Sequence, residues 1–409
     1  MERKTRLPFE GIRVCDFTWY AAGTIPTRVL AEFGAEVIKI ESVAHIDALR
    51  LAAPTVPDKA GVNVGGWANN LNSGKKGIAL NMNFAEAREV ARRLIKVSDI
   101  VIENFVPHVM EDWGLSYEEV AKVKPDIIMV RMPMWGLWGP HRDYVGFGVA
   151  LQSLTGFTYL SGYPDRIPIG TGVNYPDYAP NPYHTVLAMV SALRHRRKTG
   201  KGQLIEVSQY ESTVATLDSA VLDYTVNGRV QTRQGNRVPH AAPHSTYPCK
   251  GDDRWCAIAV ASDGEWQAFC NVIGNPSWTR EERFATHLGR KANEEELDRL
   301  VAEWTAERTA EEVMMLMQMG GVAAGVVQTS QDLLVHDPHI KAREHYVRLD
   351  HAEAGRTTYD SVTIKLSRTP GSTHKSAPML GEHNDEILRD LLGIPEEDID
   401  RYILEHMLE

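Results

Sequence analysis

The chain has 409 residues, of which 43% are apolar and 24% charged, and its net charge is −10. That length predicts two domains, or one large domain carrying an insertion, and the acid excess argues against a nucleic-acid surface or an anionic membrane as partner. The opening MERKTRLPFEGIRV has no apolar leader, no apolar run nears the roughly 20 residues of a membrane span, and the cysteines at 15, 249, 256 and 270 form no C-x-x-C pair; the expectation is a reduced, cytoplasmic protein.

IRVCDFT (12–18) is a short apolar run with β-branched residues and reads as a buried strand. WYAAGT follows as a polar, Gly-containing loop, and PTRVLAEFGA then has a helical pattern ending near Gly34. EVIKIE (36–41) is the next strand, completing a β-loop-α-β unit. The alternation continues through strand 76–82, amphipathic helix 84–98, strand 99–105, helix 116–125 and strand 126–133. It predicts a doubly wound, Rossmann-like α/β sheet, whose ligands sit at the carboxyl ends of the strands. Trp19, Tyr20, Asn104 and Phe105 lie just past such ends. Neither G-x-G-x-x-G nor a P-loop follows the first strand, which disfavours a nicotinamide enzyme.

PYHTVLAMVSALRHRRKTGKG (182–202) reads as a helix with a basic last turn, and QLIEVSQYE as a strand running into a helix that reaches about residue 226. At 227 the composition shifts to Gly, Pro and His. The predicted organisation is a large domain over 1–227, a smaller α+β domain over 228–330 and a return segment over 331–409, with a strand at TTYDSVTIKLS and a helix after LGEHNDEILRDLLG.

IGTGVNYPDYAPNPYH (169–184) fixes one carboxylate, Asp177, among prolines just before a helix. An Asp there caps the helix, or it is a rigidly held nucleophile; the two roles are compatible, since a helix start favours the ionised form. His240 and His244 are four apart, but Pro239 and Pro243 forbid the helix a metal face would need, so no metal is expected. Ser153, Ser161 and Ser208 lack the G-x-S-x-G elbow. RHRRK (194–198) reads as a helix end; Lys75 and Lys76, in LNSGKKG, are better placed to meet an anionic ligand.

The ordered set IRVCDFTWYAAGTIPTRVLAEFGAEVIKIE, LNSGKKGIALNM, DIVIENFVPHVMEDWGL, WGLWGP, LRHRRKTGKGQLIEVSQYE, GNRVPHAAPHSTYPCKGDDRWCAIAV and LGEHNDEIL resembles the class III CoA-transferases. The resemblance implies a Rossmann-like large domain built from both chain ends, a small inserted domain, and an interlocked dimer. It implies Asp177 as the nucleophile, taking CoA from an acyl-CoA donor through an anhydride and an aspartyl-CoA thioester, with no permanently bound cofactor. CoA contacts implied by position are Trp19, Tyr20, Ala21, Leu80, Asn83, Asn104 and Phe105, with Lys75, Lys76 or Arg142 as phosphate cations. The family's Arg and Lys phosphate partners are replaced here by Asp112 and Asn83. Related racemases place a His where this chain has Phe147, which favours the transferase reading. The NYPDY turn and HAAPHSTYPCKGDDRW resemble members acting on aryl-substituted acids, of the succinyl-CoA:benzylsuccinate or cinnamate type, and Trp135, Trp138, Tyr175 and Tyr178 could supply a ring-binding setting. The implied partners are an acyl-CoA, a carboxylic acid, and a second identical or related subunit; a non-catalytic CoA-binding subunit is the alternative.

Overall fold

The computed structural model describes residues 6–408. Its centre is a six-stranded, all-parallel sheet made of β1 (Arg13–Asp16), β2 (Glu36–Glu41), β3 (Lys76–Ala79), β4 (Ile100–Glu103), β5 (Ile128–Arg131) and β6 (Gln203–Glu206). The spatial order is β3-β2-β1-β4-β5-β6. The order reverses between β1 and β4, which makes that gap the topological switch point.

Successive strand residues face opposite sides. Cys15, Ile38, Ile40, Val101 and Met129 pack into one core, against Val90 and Leu94 of the helix Ala85–Lys96. Val14, Val37, Ile100, Ile102, Ile128 and Val130 pack into the other, against Leu30 of α1 (Tyr20–Glu32) and Met189 of the helix Pro180–Thr199. Covering both faces is what lets the middles of these short strands carry apolar residues on both sides. The chain's end returns to the first core through Ile387, Leu388, Ile399 and Met407. It also bonds to the sheet edge, where the Asn81 amide donates to the Met407 carbonyl (2.9 Å) and the Ala79 amide to Asn384 Oδ1 (2.9 Å).

Most strands end in a charged residue, and most of these charges are buried and paired. Lys75 Nζ meets Asp16 (3.0 Å), Arg50 grips Glu41 with two bonds (2.6 and 2.7 Å), and Arg131 meets Glu103 (2.6 Å). Lys39 Nζ donates to the Thr18 carbonyl (2.5 Å) and lies 3.6 Å from Asp47. These pairs tie the loops at the carboxyl edge to the strands they leave.

The chain folds into two compact units. The larger runs through Thr158, then Gly170–Gln231, then from His339 onward; the smaller is Tyr159–Ile169 with Thr232–Pro338. The smaller unit holds an antiparallel sheet, β7 (His244–Pro248), β8 (Trp255–Ala259) and β9 (Ala323–Val326), in the order β7-β8-β9. Helices Asp263–Val272 and Ala310–Met319 each start in a capping box, Ser262/Glu265 and Thr309/Glu312. Its core gathers Tyr247, Ile258, Phe269, Leu297 and Val313.

The fold corrects three local expectations. WYAAGT is not a loop: α1 begins at Tyr20, with Trp19 as an extended N-cap residue. Only Gly355–Asp360 of the region around TTYDSVTIKLS is a strand, paired antiparallel with Tyr346–His351, a strand the sequence pattern does not announce. The helix expected after β6 is two helices, Gln209–Val214 and Asp218–Asn227, with a 3-10 turn between them.

Candidate active site

The switch point is built by two peptide segments locked together. Asn104, one residue past β4, accepts from the Trp19 amide and donates to the Trp19 carbonyl, both at 2.8 Å. Phe17, Trp19, Phe105 and Trp113 form an aromatic run, with ring centroids 5.5 Å apart for Trp19–Phe105 and 5.6 Å for Phe105–Trp113. With Ile40, Ser42, His45, Leu80 and Met82 they line a cavity of about 240 Å³. Such a slot accepts a flat ring by area and by edge-to-face contact.

Asp177 belongs to the same unit. It sits in a single helical turn, Tyr175–Tyr178, whose Pro176 fixes the approach. The residue is 6% exposed, and its carboxylate makes no hydrogen bond among the described residues. It caps neither this turn nor the helix that starts at Pro180, so the capping role is not taken. Its Oδ2 instead lies against Gly148, where an added Cβ would collide with it. Gly148 opens the helix Gly148–Thr155, preceded by Phe147 in extended conformation. Phe147 stacks on Tyr20 with centroids 6.0 Å apart and planes 2° from parallel, and so links the surroundings of Asp177 to the switch point. Tyr20 itself has φ +55°, a strained value for a side-chain-bearing residue.

Burial changes the carboxylate's chemistry. With no cation or donor among the described residues to oppose it, desolvation raises the Asp177 pKa to about 7. A free aspartate ionised throughout the neutral range, as expected from its ordinary value near ~3.9, is therefore not what this site holds. Near neutrality the group is balanced between a protonated form and a poorly solvated, nucleophilic anion.

The remaining sequence candidates separate. Trp19, Leu80 and Phe105 line the switch-point cavity; Tyr20 and Ala21 begin α1 beside it. Asn104 holds Trp19, and Asn83 is exposed just beyond the lining residue Met82. The Lys75 ammonium is buried and donates to Asp16 and to the Thr24 carbonyl (3.1 Å). Burial lowers its pKa to about 8 against the pull of Asp16. Lys76 lies at the amino end of β3 and pairs with Glu36 and Glu386, and Arg142 pairs with its neighbour Asp143. Trp135 and Trp138 line a different cavity, of about 450 Å³, with His141, Glu206 and Glu211. Tyr178 stacks on Trp67. His244 Nδ1 engages the Asn236 carbonyl, and no group of metal-ligating side chains occurs among the described residues.

One cation escapes a reading of the sequence. Arg88, in the opening turn of the helix Ala85–Lys96, donates from Nε to the Met82 carbonyl (2.8 Å) and from Nη2 to that of Asn83 (3.4 Å). It forms no ion pair among the described residues. The signal was present: a cation near a helix amino end opposes the macrodipole and needs another reason to be there.

A doubly wound sheet of this order is a frame shared by nucleotide-binding α/β enzymes. The chain belongs to one such family: a model described as CoA-transferase family III matches residues 9–384. It is a class III CoA-transferase, moving CoA from a thioester to a carboxylic acid. The chain is similar to the succinyl-CoA–D-citramalate CoA-transferase of Chloroflexus aurantiacus, 34% identical over 96% of each chain. It is also 33% identical to the succinyl-CoA–L-malate CoA-transferase beta subunit of that organism, over 97% of this chain and 96% of the relative. A crystal structure of a CAIB/BAIF family protein from Brucella suis superposes with a TM-score of 0.85 at 29% identity, covering 95% of this chain and 100% of the other.

Proposed function

We propose that Asp177 is the nucleophile of this transferase and that the switch-point cavity receives the adenine end of CoA. The observation that carries the reading is an aspartate 6% exposed, its carboxylate without a hydrogen bond among the described residues and pressed against a glycine beside that cavity's loops. A structural aspartate so buried would be paired.

The reaction then runs in balanced steps. Asp177 attacks the donor's thioester carbon; a C–O bond forms, the C–S bond breaks, and CoA leaves as thiolate. The thiolate attacks the Asp177 carbonyl of the resulting anhydride, releasing the donor acid and leaving aspartyl-CoA. The acceptor's carboxylate attacks that thioester and again expels the thiolate. Attack of the thiolate on the acceptor's acyl carbon gives the new thioester and restores the Asp177 carboxylate. Both anhydrides hydrolyse if water enters, so a dry site around the acylated residue is a requirement.

The donor in this reading is succinyl-CoA and the acceptor a small dicarboxylic acid of malate or citramalate size, as the names of the relatives suggest. An aryl-substituted acceptor is the second reading, favoured by Tyr175 near Asp177 and its ring contact with Phe157 (5.5 Å). A screen of dicarboxylic and aryl acids against succinyl-CoA, with mass detection of new thioesters, decides between them. Arg88 is the cation we assign to the CoA phosphates, with His45 on the cavity wall. Phe147 cannot hold a proton, which leaves a racemase without a second acid–base group there.

The functional particle in this reading is an interlocked dimer, of this chain or with a related subunit. Val145, Val149, Val173, Leu187, Leu222 and Val226 are exposed in the single chain, all in the larger unit. The four cysteines are free and buried, in keeping with a reducing cytoplasm. No helix among the described residues is long and apolar enough to cross a membrane.

A further inference from the structure

The Asp177 carboxylate makes no hydrogen bond among the described residues, so the backbone that carries it must aim it. The segment leading to it cannot do so unaided: Thr171 stands between Gly170 and Gly172, both in left-handed conformation with φ +69° and +76°. Gln152 is 6% exposed and reaches this segment with both ends of its amide. Its Nε2 donates to the Val173 carbonyl (2.7 Å), and its Oε1 accepts from the Thr171 amide (3.3 Å) and the Thr171 hydroxyl (2.9 Å). Thr171 Oγ1 also contacts the Val173 carbonyl (2.8 Å). Gln152 lies four residues after Gly148 on the same helix, so the two project from one face. One face of one helix thus abuts the Asp177 carboxylate with its first residue and fixes the approach to it with its second turn.

We propose that Gln152 is a positioning residue for the transfer reaction: through Thr171 and Val173 it holds Asp177 at the angle from which the carboxylate attacks a thioester and stays shielded once acylated. The inference rests on Asp177 being the nucleophile. It adds a distinct claim, that the accuracy of the site is set by an amide contacting neither substrate nor nucleophile.

The chemistry explains why a glutamine serves. The segment offers a carbonyl, an amide and a hydroxyl, and the planar amide answers with a donor and an acceptor at a fixed spacing. Glutamate would set a second acceptor against the Val173 carbonyl. Leucine would leave the Thr171 amide without its acceptor and the Val173 carbonyl held only by the Tyr175 amide (2.8 Å) and the Thr171 hydroxyl, so the segment loses its tie to the helix. A displaced carboxylate loses attack geometry, and small displacements cost rate steeply.

The test uses the full-length enzyme with succinyl-CoA and an acceptor found by the screen. Gln152→Leu is expected to lower kcat roughly 30- to 100-fold, with KM for the thioester within about twofold, and to raise the ratio of thioester hydrolysis to transfer. Thr171→Val, at an exposed position that leaves folding intact, is expected to show the same pattern more weakly, and Thr171→Ser to restore it. The double variant Gln152→Leu/Thr171→Val should be little worse than Gln152→Leu alone, because both remove one contact. A staple that only stabilises the fold would lower Tm and leave the hydrolysis ratio and the Val/Ser contrast flat; that result overturns the proposal, as do additive effects. Hydroxylamine capture at Asp177 separates the two levels. Capture in the wild type with an unchanged rate in Gln152→Leu defeats the positioning role and leaves the nucleophile standing. No capture in the wild type defeats both.

Discussion

At the scale of single residues, the site depends on an acid kept out of water and a neighbour with no side chain. Gly148→Ala puts a methyl group where Oδ2 of Asp177 lies. The expected outcome is a loss of about 100-fold or more in kcat with a near-native circular dichroism spectrum, because the helix start tolerates alanine and the carboxylate's position does not. The raised pKa of Asp177 gives a second expectation. Attack needs the anion, so kcat/KM should climb with pH through about 7 and then level off. The stability effect has the opposite sense. The folded protein binds this proton more tightly than the unfolded chain, whose aspartate titrates near ~4, so the group's contribution is present in acid and lost as pH rises toward 7. Asp177→Asn should therefore abolish turnover yet be more stable than wild type at pH 8, by up to about 4 kcal/mol. That gap should close near pH ~4.

At the scale of elements, the carboxyl edge of the sheet is organised by buried charge pairs. Removing one partner of such a pair leaves the other uncompensated, at about 3–5 kcal/mol. Lys75→Met is thus expected to lower the urea midpoint strongly while leaving KM for acyl-CoA unchanged, whereas Arg88→Gln should raise that KM about tenfold at constant stability. Exchanged outcomes would restore Lys75 as the ligand cation. The same contrast shows what the sequence revealed. Strands are legible because both faces of a parallel sheet are apolar, as in IVIE of β4 and IMVR of β5. The candidate nucleophile was legible because prolines and one carboxylate stand together in NYPDYAP. The fate of Lys75 was not, because burial of an ammonium depends on Asp16, which is 59 residues away in the chain. Nor was the start of α1: WYAAGT carries no capping side chain, and the helix is entered through the strained Tyr20.

At the scale of the molecule, one chain leaves large apolar side chains in water on the larger unit. Leu222 and Val226 are 57% and 76% exposed and four residues apart on the helix Asp218–Asn227. Shared by two copies, such a stripe would bury area worth several kcal/mol. Sedimentation of the wild type should give twice the chain mass, and Leu222→Glu/Val226→Glu should shift the distribution toward the single chain. A wild type that sediments as one chain at micromolar concentration would remove the dimer from the account.

The claim on which the rest depends is covalent. The enzyme, incubated with succinyl-CoA, quenched with hydroxylamine and digested, should yield a hydroxamate on Asp177 in the wild type and none in Asp177→Asn. A hydroxamate on another carboxylate, or an unmodified Asp177 in an enzyme that is turning over, would contradict it.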